Sequence, residues 1–266
     1  MELSKRLQAV ADLLDCHEKI ADIGCDHGFV SIYLIESKKA SWCLAMDVNS
    51  GPLERAREHV LEKRLSTYIE TRLSDGAKEI QLVKDEQGNE KPEVQAALIA
   101  GMGGKLMIQI LKDSLKKFQG MEEFVLQPQS EIAKVREFVR EMGYHIDKED
   151  MVLEDGKFYP MMKVVKGKRE LTNLDNGYGW LTEKVNDKQW KNSQVQEVFD
   201  EYGEHLLNQK HPVLLQYLQK EKELYQGILK NLKQMDTVKS ELRRQEIKKK
   251  LKVIDMGLEW FEHEVQ

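Results

Sequence analysis

The chain has 266 residues, 41% of them hydrophobic and 33% charged, with only five prolines, a composition that excludes the disordered and fibrous classes. A formal net charge of −5 excludes a global attraction to nucleic acid, so any such contact must use local basic patches. No apolar run approaches the roughly 20 residues that cross a bilayer, and no membrane partner is expected.

Met1 to Leu14 sets Leu3, Leu7, Val10 and Leu14 at helical spacing among Lys5, Arg6 and Asp12. This predicts an amphipathic helix without the uninterrupted apolar segment of a signal peptide, and a cytoplasmic location. Short apolar runs then alternate with longer helical patterns, the signature of a parallel sheet covered by helices on both faces. The predicted strands are Lys19 to Ile23, Trp42 to Asp47, Thr67 to Arg72, Ala96 to Ala100 and Glu123 to Gln127. The predicted helices between them, Phe29 to Glu36, Pro52 to Glu62, Lys105 to Lys117 and Ile132 to Met142, are rich in good helix formers. Asp85 to Pro92, with Gln87-Gly88-Asn89, reads as a polar surface loop. Tyr144 to Leu153 and Phe158 to Val165 flank Asp155-Gly156, a pair suited to the positive φ angles of a tight turn, and predict an antiparallel hairpin closing the sheet.

Lys166 to Asn176 is polar and lacks strand character, which makes it the candidate boundary between a domain of residues 1–166 and one of residues 167–266. Beyond it the pattern is helical. Leu214, Leu218, Glu221, Tyr225, Ile228, Leu232 and Met235 follow four-three spacing, as do Ile247, Leu251, Ile254, Leu258 and Phe261, and predict an antiparallel coiled-coil hairpin interrupted at Glu221. Pro212 suits the first turn of the first helix and Asp236 the N-cap of the second. Cys16, Cys25 and Cys43 are odd in number and form no CxxC pair, so they read as structural thiols and no metal site is expected.

The strongest local signal is Asp22-Ile23-Gly24-Cys25-Asp26-His27-Gly28, which follows the first predicted strand and precedes a helix. Glycines here let the backbone turn tightly and approach a ligand at the carboxyl end of the strand, where open α/β sheets bind cofactors. Asp22, Gly24, Cys25 and Gly28 are therefore candidate cofactor-binding residues. Asp47, with Val48 beside it, ends the second strand about 20 residues later, where a carboxylate accepts both ribose hydroxyls of a nucleoside. That much also fits NAD. Asp75-Gly76 follows the third strand; the carboxylate either accepts from the exocyclic amine of an adenine, a contact typical of adenosylmethionine enzymes, or caps the next helix. Ala100-Gly101-Met102-Gly103-Gly104 ends the fourth strand with three glycines, which either leave room for a flat methyl acceptor or simply make a tight turn.

At these residues the chain resembles a specific family, the bacterial tRNA methyltransferases that modify N1 of adenine 22, known as TrmK. The resemblance is carried by Leu3-Ser4-Lys5-Arg6-Leu7, Ala21-Asp22-Ile23-Gly24 with Asp26-His27, Asp75-Gly76, Ile99 to Gly104, Leu126-Gln127-Pro128, and Leu153 to Lys157 with Tyr159. Tyr202-Gly203 and Pro212-Val213-Leu214-Leu215 extend it more loosely into a tail that looks like the family's coiled-coil appendage. The family commonly has asparagine after Gln-Pro, where this chain has Gln129, and often alanine-tyrosine after Asp-His, where it has Gly28-Phe29.

The resemblance implies a Rossmann-like class I methyltransferase sheet, S-adenosyl-L-methionine as cofactor and tRNA as substrate. Adenine N1 has a free lone pair at neutral pH, so catalysis rests on alignment, with a polar group polarising the adenine amine. Asp26 is the first candidate for a catalytic role, the alternative being that it only orders the cofactor; His27 either bonds the base or braces the loop. The implied cofactor set adds Arg6, Gly76, Gly101, Met102 and Gly103, with Arg6 closing over the cofactor carboxylate or else merely solvated. Glu154 and Tyr159 flank the hairpin turn, where Tyr159 stacks on a base extruded from the tRNA or packs as an ordinary strand aromatic. Arg243, Arg244, Lys248, Lys249, Lys250 and Lys252 form the most basic stretch, either a grip on phosphates or a solvated helix face. A monomer is expected, with dimerisation through the coiled coil left open. Two further readings stand: a methyltransferase acting on another RNA or a small metabolite, and an RNA-binding protein that keeps the fold without catalysis.

Overall fold

Five apolar runs become parallel strands: β1 (His17–Ile23), β2 (Ala40–Asp47), β3 (Ile69–Leu73), β6 (Ala96–Met102) and β7 (Glu123–Pro128). The computed structural model describes residues 3–167, 190–232 and 237–262. The chain divides into two compact units, Met1–Lys168 and Arg169–Gln266.

In the first unit the strands alternate their side chains between two separate cores, which is why they read as nearly continuous apolar runs. Ala21, Ile23, Leu44, Met46, Ile99 and Phe124 face one core, shared with α4 (Gly104–Asp113) and α6 (Ile132–Glu141). Ile20, Cys43, Ala45, Leu98 and Val125 face the other, under α1 (Lys5–Leu13), α2 (Phe29–Glu36) and α3 (Ser50–Glu62). Cys25 and Cys43 are buried in this second core, and burial pushes both thiols up. The hairpin of β8 (Tyr144–Glu154) and β9 (Lys157–Lys166) completes the sheet with β9 antiparallel to β7, giving the order β3-β2-β1-β6-β7-β9-β8.

Two expectations are corrected here. The stretch from Asp85 to Pro92 is not a plain loop: β4 (Leu82–Lys84) pairs antiparallel with β5 (Glu90–Pro92). The Asp85 carboxylate closes the turn by accepting from Gln87 N at 2.9 Å and Asn89 N at 2.8 Å. The single helix expected over Lys105 to Lys117 breaks at Ser114 into α4 and α5 (Leu115–Gln119). The break lets Phe118 turn fully into the core against Phe124, with ring centroids 5.3 Å apart.

The second unit contains α7 (Asn192–Tyr202), α8 (Glu204–Asn208), α9 (Pro212–Leu232) and α10 (Val238–Glu262), with α9 packed along α10. Leu214, Leu218, Ile247 and Ile254 of the predicted seam are buried, but so are Val253, Met256, Gly257 and Trp260. A two-helix seam accounts for only one face of α10, because α7 and α8 pack on it as well. Trp260 stacks on Trp190 with centroids 5.5 Å apart and donates to Asn208 Oδ1 at 3.2 Å. Glu221, the break in the seam, accepts from the buried Tyr202 hydroxyl at 3.2 Å. Met235, Asp236 and the stretch from residue 168 to residue 176 lie outside the described residues. Among the described residues no helix is long and apolar enough to cross a membrane, and no cluster of His, Cys, Asp or Glu is placed to hold a metal ion.

Candidate active site

From β1 the chain first builds outward to β2 and β3, and only later returns to lay β6 on the other side of β1. The carboxyl ends of β1 and β6 therefore bound a switch-point crevice, the place where open α/β sheets take ligands. A cavity of about 550 Å³ lies there, within the range of small-molecule sites.

The loop after β1 is held from its neighbour strand: Gly24 N and Cys25 N both donate to Met46 O at 2.8 Å. Gly24 has a φ of 78°, and the Met102 side chain stands where a Cβ on residue 24 would go. His27 takes a φ of 65°, unusual for a residue with a side chain. Its carbonyl accepts from His59 Nδ1 at 2.9 Å, and Phe29 lies with its ring centroid 5.4 Å from that of His27 and 4.8 Å from that of His59. The His27 ring is thus braced by a stack. Its Nε2 is 3.5 Å from Asp26 Oδ1, and Asp26 is 67% exposed.

The acids differ in their surroundings. Asp22 is buried and accepts from Ser31 Oγ at 2.7 Å; burial pushes its carboxyl up to about 6, against the pull of the Ser31 hydrogen bonds and with a push from Asp47. Asp47, at the end of β2, accepts from Asn49 N at 2.9 Å. Asp75 is exposed and paired with Lys78. No helix follows Asp75, so the capping alternative does not hold; Ser74 organises that turn instead, donating to Gly76 O at 2.8 Å and accepting from Glu79 N at 3.2 Å.

On the β6 side, Gly101 has a φ of 77° and its N–H donates to Gln127 Oε1 at 3.1 Å. The same oxygen accepts from Arg6 Nη1 at 2.9 Å. Gln127 is fully buried and therefore ties the first helix to the glycine turn. The Arg6 guanidinium lies over the Tyr159 ring, 5.3 Å from its centroid, and Arg6 N donates to Glu154 Oε1 at 3.4 Å. Gly104 N donates to Ser130, and the Ser130 carbonyl fills the space a Cβ on residue 104 would need.

Residues 3–162 match the family described as "Methyltransferase domain". The tRNA (adenine(22)-N(1))-methyltransferase of Bacillus subtilis is 34% identical over 170 residues, covering 64% of this chain and 68% of that protein. The chain belongs to this family, TrmK. The crystal structure of B. subtilis TrmK superposes with a TM-score of 0.75 at 26% identity, over 96% of this chain and 98% of that one. Streptococcus pneumoniae Sp1610 in complex with S-adenosyl-L-methionine superposes with a TM-score of 0.75 at 26% identity, over 97% of this chain and 100% of that one.

In this TrmK-family chain the cavity brings together most of the residues expected to bind the cofactor or act in catalysis: Arg6, Asp22, Gly24, Cys25, Asp26, His27, Asp47, Val48, Asp75, Gly76, Gly101 and Met102. Gly28 lies behind the loop with a φ of 70°, close against Ala56, and Gly103 caps α4. Glu154 and Tyr159 do not line the cavity; they hold Arg6, so one face of Tyr159 is already covered. In the second unit Arg243 is paired with Glu246 at 2.8 Å and Arg244 with Glu241 at 2.6 Å, while Lys248 and Lys249 are exposed. Sequence reading missed Asn49, Ser74, Leu106, Ile110 and Gln129 in the lining, and Gln127 behind it. Gln127 had a signal, since Leu126-Gln127-Pro128 is among the family motifs; Leu106 had none.

Proposed function

We infer that this protein transfers a methyl group from S-adenosyl-L-methionine to N1 of adenine 22 in tRNA. The reading rests on the switch-point cavity, with Asp22 and Asp47 on its β1–β2 side and the glycine turn at Gly101 on its β6 side, in a chain of the TrmK family. The residues fit the cofactor: backbone free of Cβ at Gly101 admits close approach, and Asp47 suits two ribose hydroxyls. Arg6 suits a carboxylate.

When bound, the cofactor supplies an electrophilic methyl group on a sulfonium. The chain itself has no proton to remove before attack, because adenine N1 presents a free lone pair. Its task is to align the base and keep water out. Asp26 and His27 share the cavity wall and are assigned to orienting the ligands, with the His27 ring fixed by its stack on Phe29. Arg6 is held ready for its anionic partner by Gln127 and Tyr159. Lys248 and Lys249 are assigned to tRNA phosphates, a role that Arg243 and Arg244 fill less readily while paired with glutamates.

The test is methyl incorporation from labelled cofactor into a tRNA transcript with adenine at position 22, beside one with guanine there. Label in the adenine transcript alone is expected. Label in both, or in neither while the cofactor still binds, overturns the assignment.

A further inference from the structure

The polar side chains at the β6–β7 end of the cavity are committed elsewhere, with one exception. Arg6 is held by Gln127 and Tyr159, and Gln127 by Arg6 and Gly101. Gln129 is exposed, lines the cavity, and makes no side-chain hydrogen bond among the described residues. Its backbone is nonetheless fixed: Gln129 N donates to Met102 O at 2.8 Å, which locks the residue beside the glycine turn. Its Nε2 lies 3.8 Å from where a Cβ on Gly101 would stand, so the carboxamide borders the space that this glycine leaves open. With Asp47 assigned to the nucleoside half at the β2 end and Arg6 to the cofactor carboxylate, Gln129 is the polar side chain left at the β6–β7 end for the acceptor.

We propose that Gln129 is a specificity-determining residue that touches the acceptor, its carboxamide oxygen accepting a hydrogen bond from the exocyclic amine of the target adenine. The proposal rests on the adenine-22 reading. An acceptor at that amine pushes electron density into the ring and onto N1, and holds N1 toward the methyl group. The N–C bond forms as the C–S bond breaks, the positive charge passes from sulfur to the ring, and Gln129 keeps its protons throughout. Guanine offers a carbonyl in place of the amine and a hydrogen on N1, so it has neither the donor for this oxygen nor the lone pair for the methyl group.

The experiment compares the wild type with Gln129→Leu and Gln129→Glu on two tRNAs, one with adenine at position 22 and one with unsubstituted purine, which lacks the amine. Cofactor affinity is measured by calorimetry in parallel. Gln129→Leu is expected to lose about tenfold in kcat/KM on the adenine tRNA, the worth of one hydrogen bond, and nothing further on the purine tRNA. Gln129→Glu, which keeps an acceptor, is expected to retain most of the activity, and cofactor affinity is expected to stay unchanged in both variants. Equal losses on the two tRNAs, or no loss on either, overturn the contact while leaving the methyltransferase reading intact. Failure of the wild type itself to label the adenine tRNA overturns both.

Discussion

Where the parallel strands begin, Lys163 is only 2% exposed yet lies 2.5 Å from Asp15 Oδ2 and 2.7 Å from Glu123 Oε2, while His17 Nε2 is 3.1 Å from Glu123 Oε1. Where the same strands end, Asp22 and Asp47 are also buried, but among the described residues no cation is paired with either. Burial pushes Glu123 up, but its pairing with His17 and Lys163 outweighs that and holds the carboxyl below its ordinary value; burial acts on Asp22 with only Ser31 to oppose it. A buried carboxylate with no cation beside it is a candidate for binding a ligand, whereas the Lys163–Glu123 pair is already satisfied within the fold.

The largest expected effect lies at the paired edge. Lys163→Met leaves the buried Glu123 with His17 as its remaining side-chain partner, and should destabilise the fold by roughly 3 kcal/mol in urea titrations while leaving cofactor affinity unchanged in the folded fraction. A loss of affinity there, with stability intact, erases the distinction between the two edges. Asp47→Ala should do the reverse, weakening cofactor binding by about tenfold to a hundredfold in calorimetry with little change in stability. A pH slope is the third expected effect. The folded chain keeps the Asp22 proton up to about 6, whereas the unfolded chain releases it near the ordinary value of 3.8. Stability should therefore fall as pH rises across that window and stay lower above it, while affinity for a cationic cofactor should rise as the carboxylate forms. Asp22→Asn should flatten both curves; a slope that survives the substitution belongs to another group.

The glycine turns and Asp47 that line the cavity were legible because their devices are local. Gly24, Asp47 and Gly101 each end an apolar run, and strand ends are visible in a linear pattern. The partners of Gln127 and Ser74 were not, since Arg6, Gly101, Gly76 and Glu79 are chosen by sheet order and turn geometry. The β4–β5 ribbon escaped because its strand residues are mostly exposed and show no alternation. In the second unit the heptad spacing named buried residues correctly at Leu214 and Ile254. It gave no sign that α7 and α8 use the opposite side of α10, because a single periodic pattern reports one face at a time.

Arg6 is joined to Gln127 across 121 residues of sequence and to Glu154 across 148. During synthesis the cation is made long before either partner, and a nascent chain that has not yet formed β7 and the β8–β9 hairpin has no means of fixing it. The glycine loop and Asp47 are synthesised much earlier, before the β6 wall of the cavity and the partners of Arg6. On the assignment of Arg6 to the cofactor carboxylate, competence for the methyl donor waits until the sheet is closed.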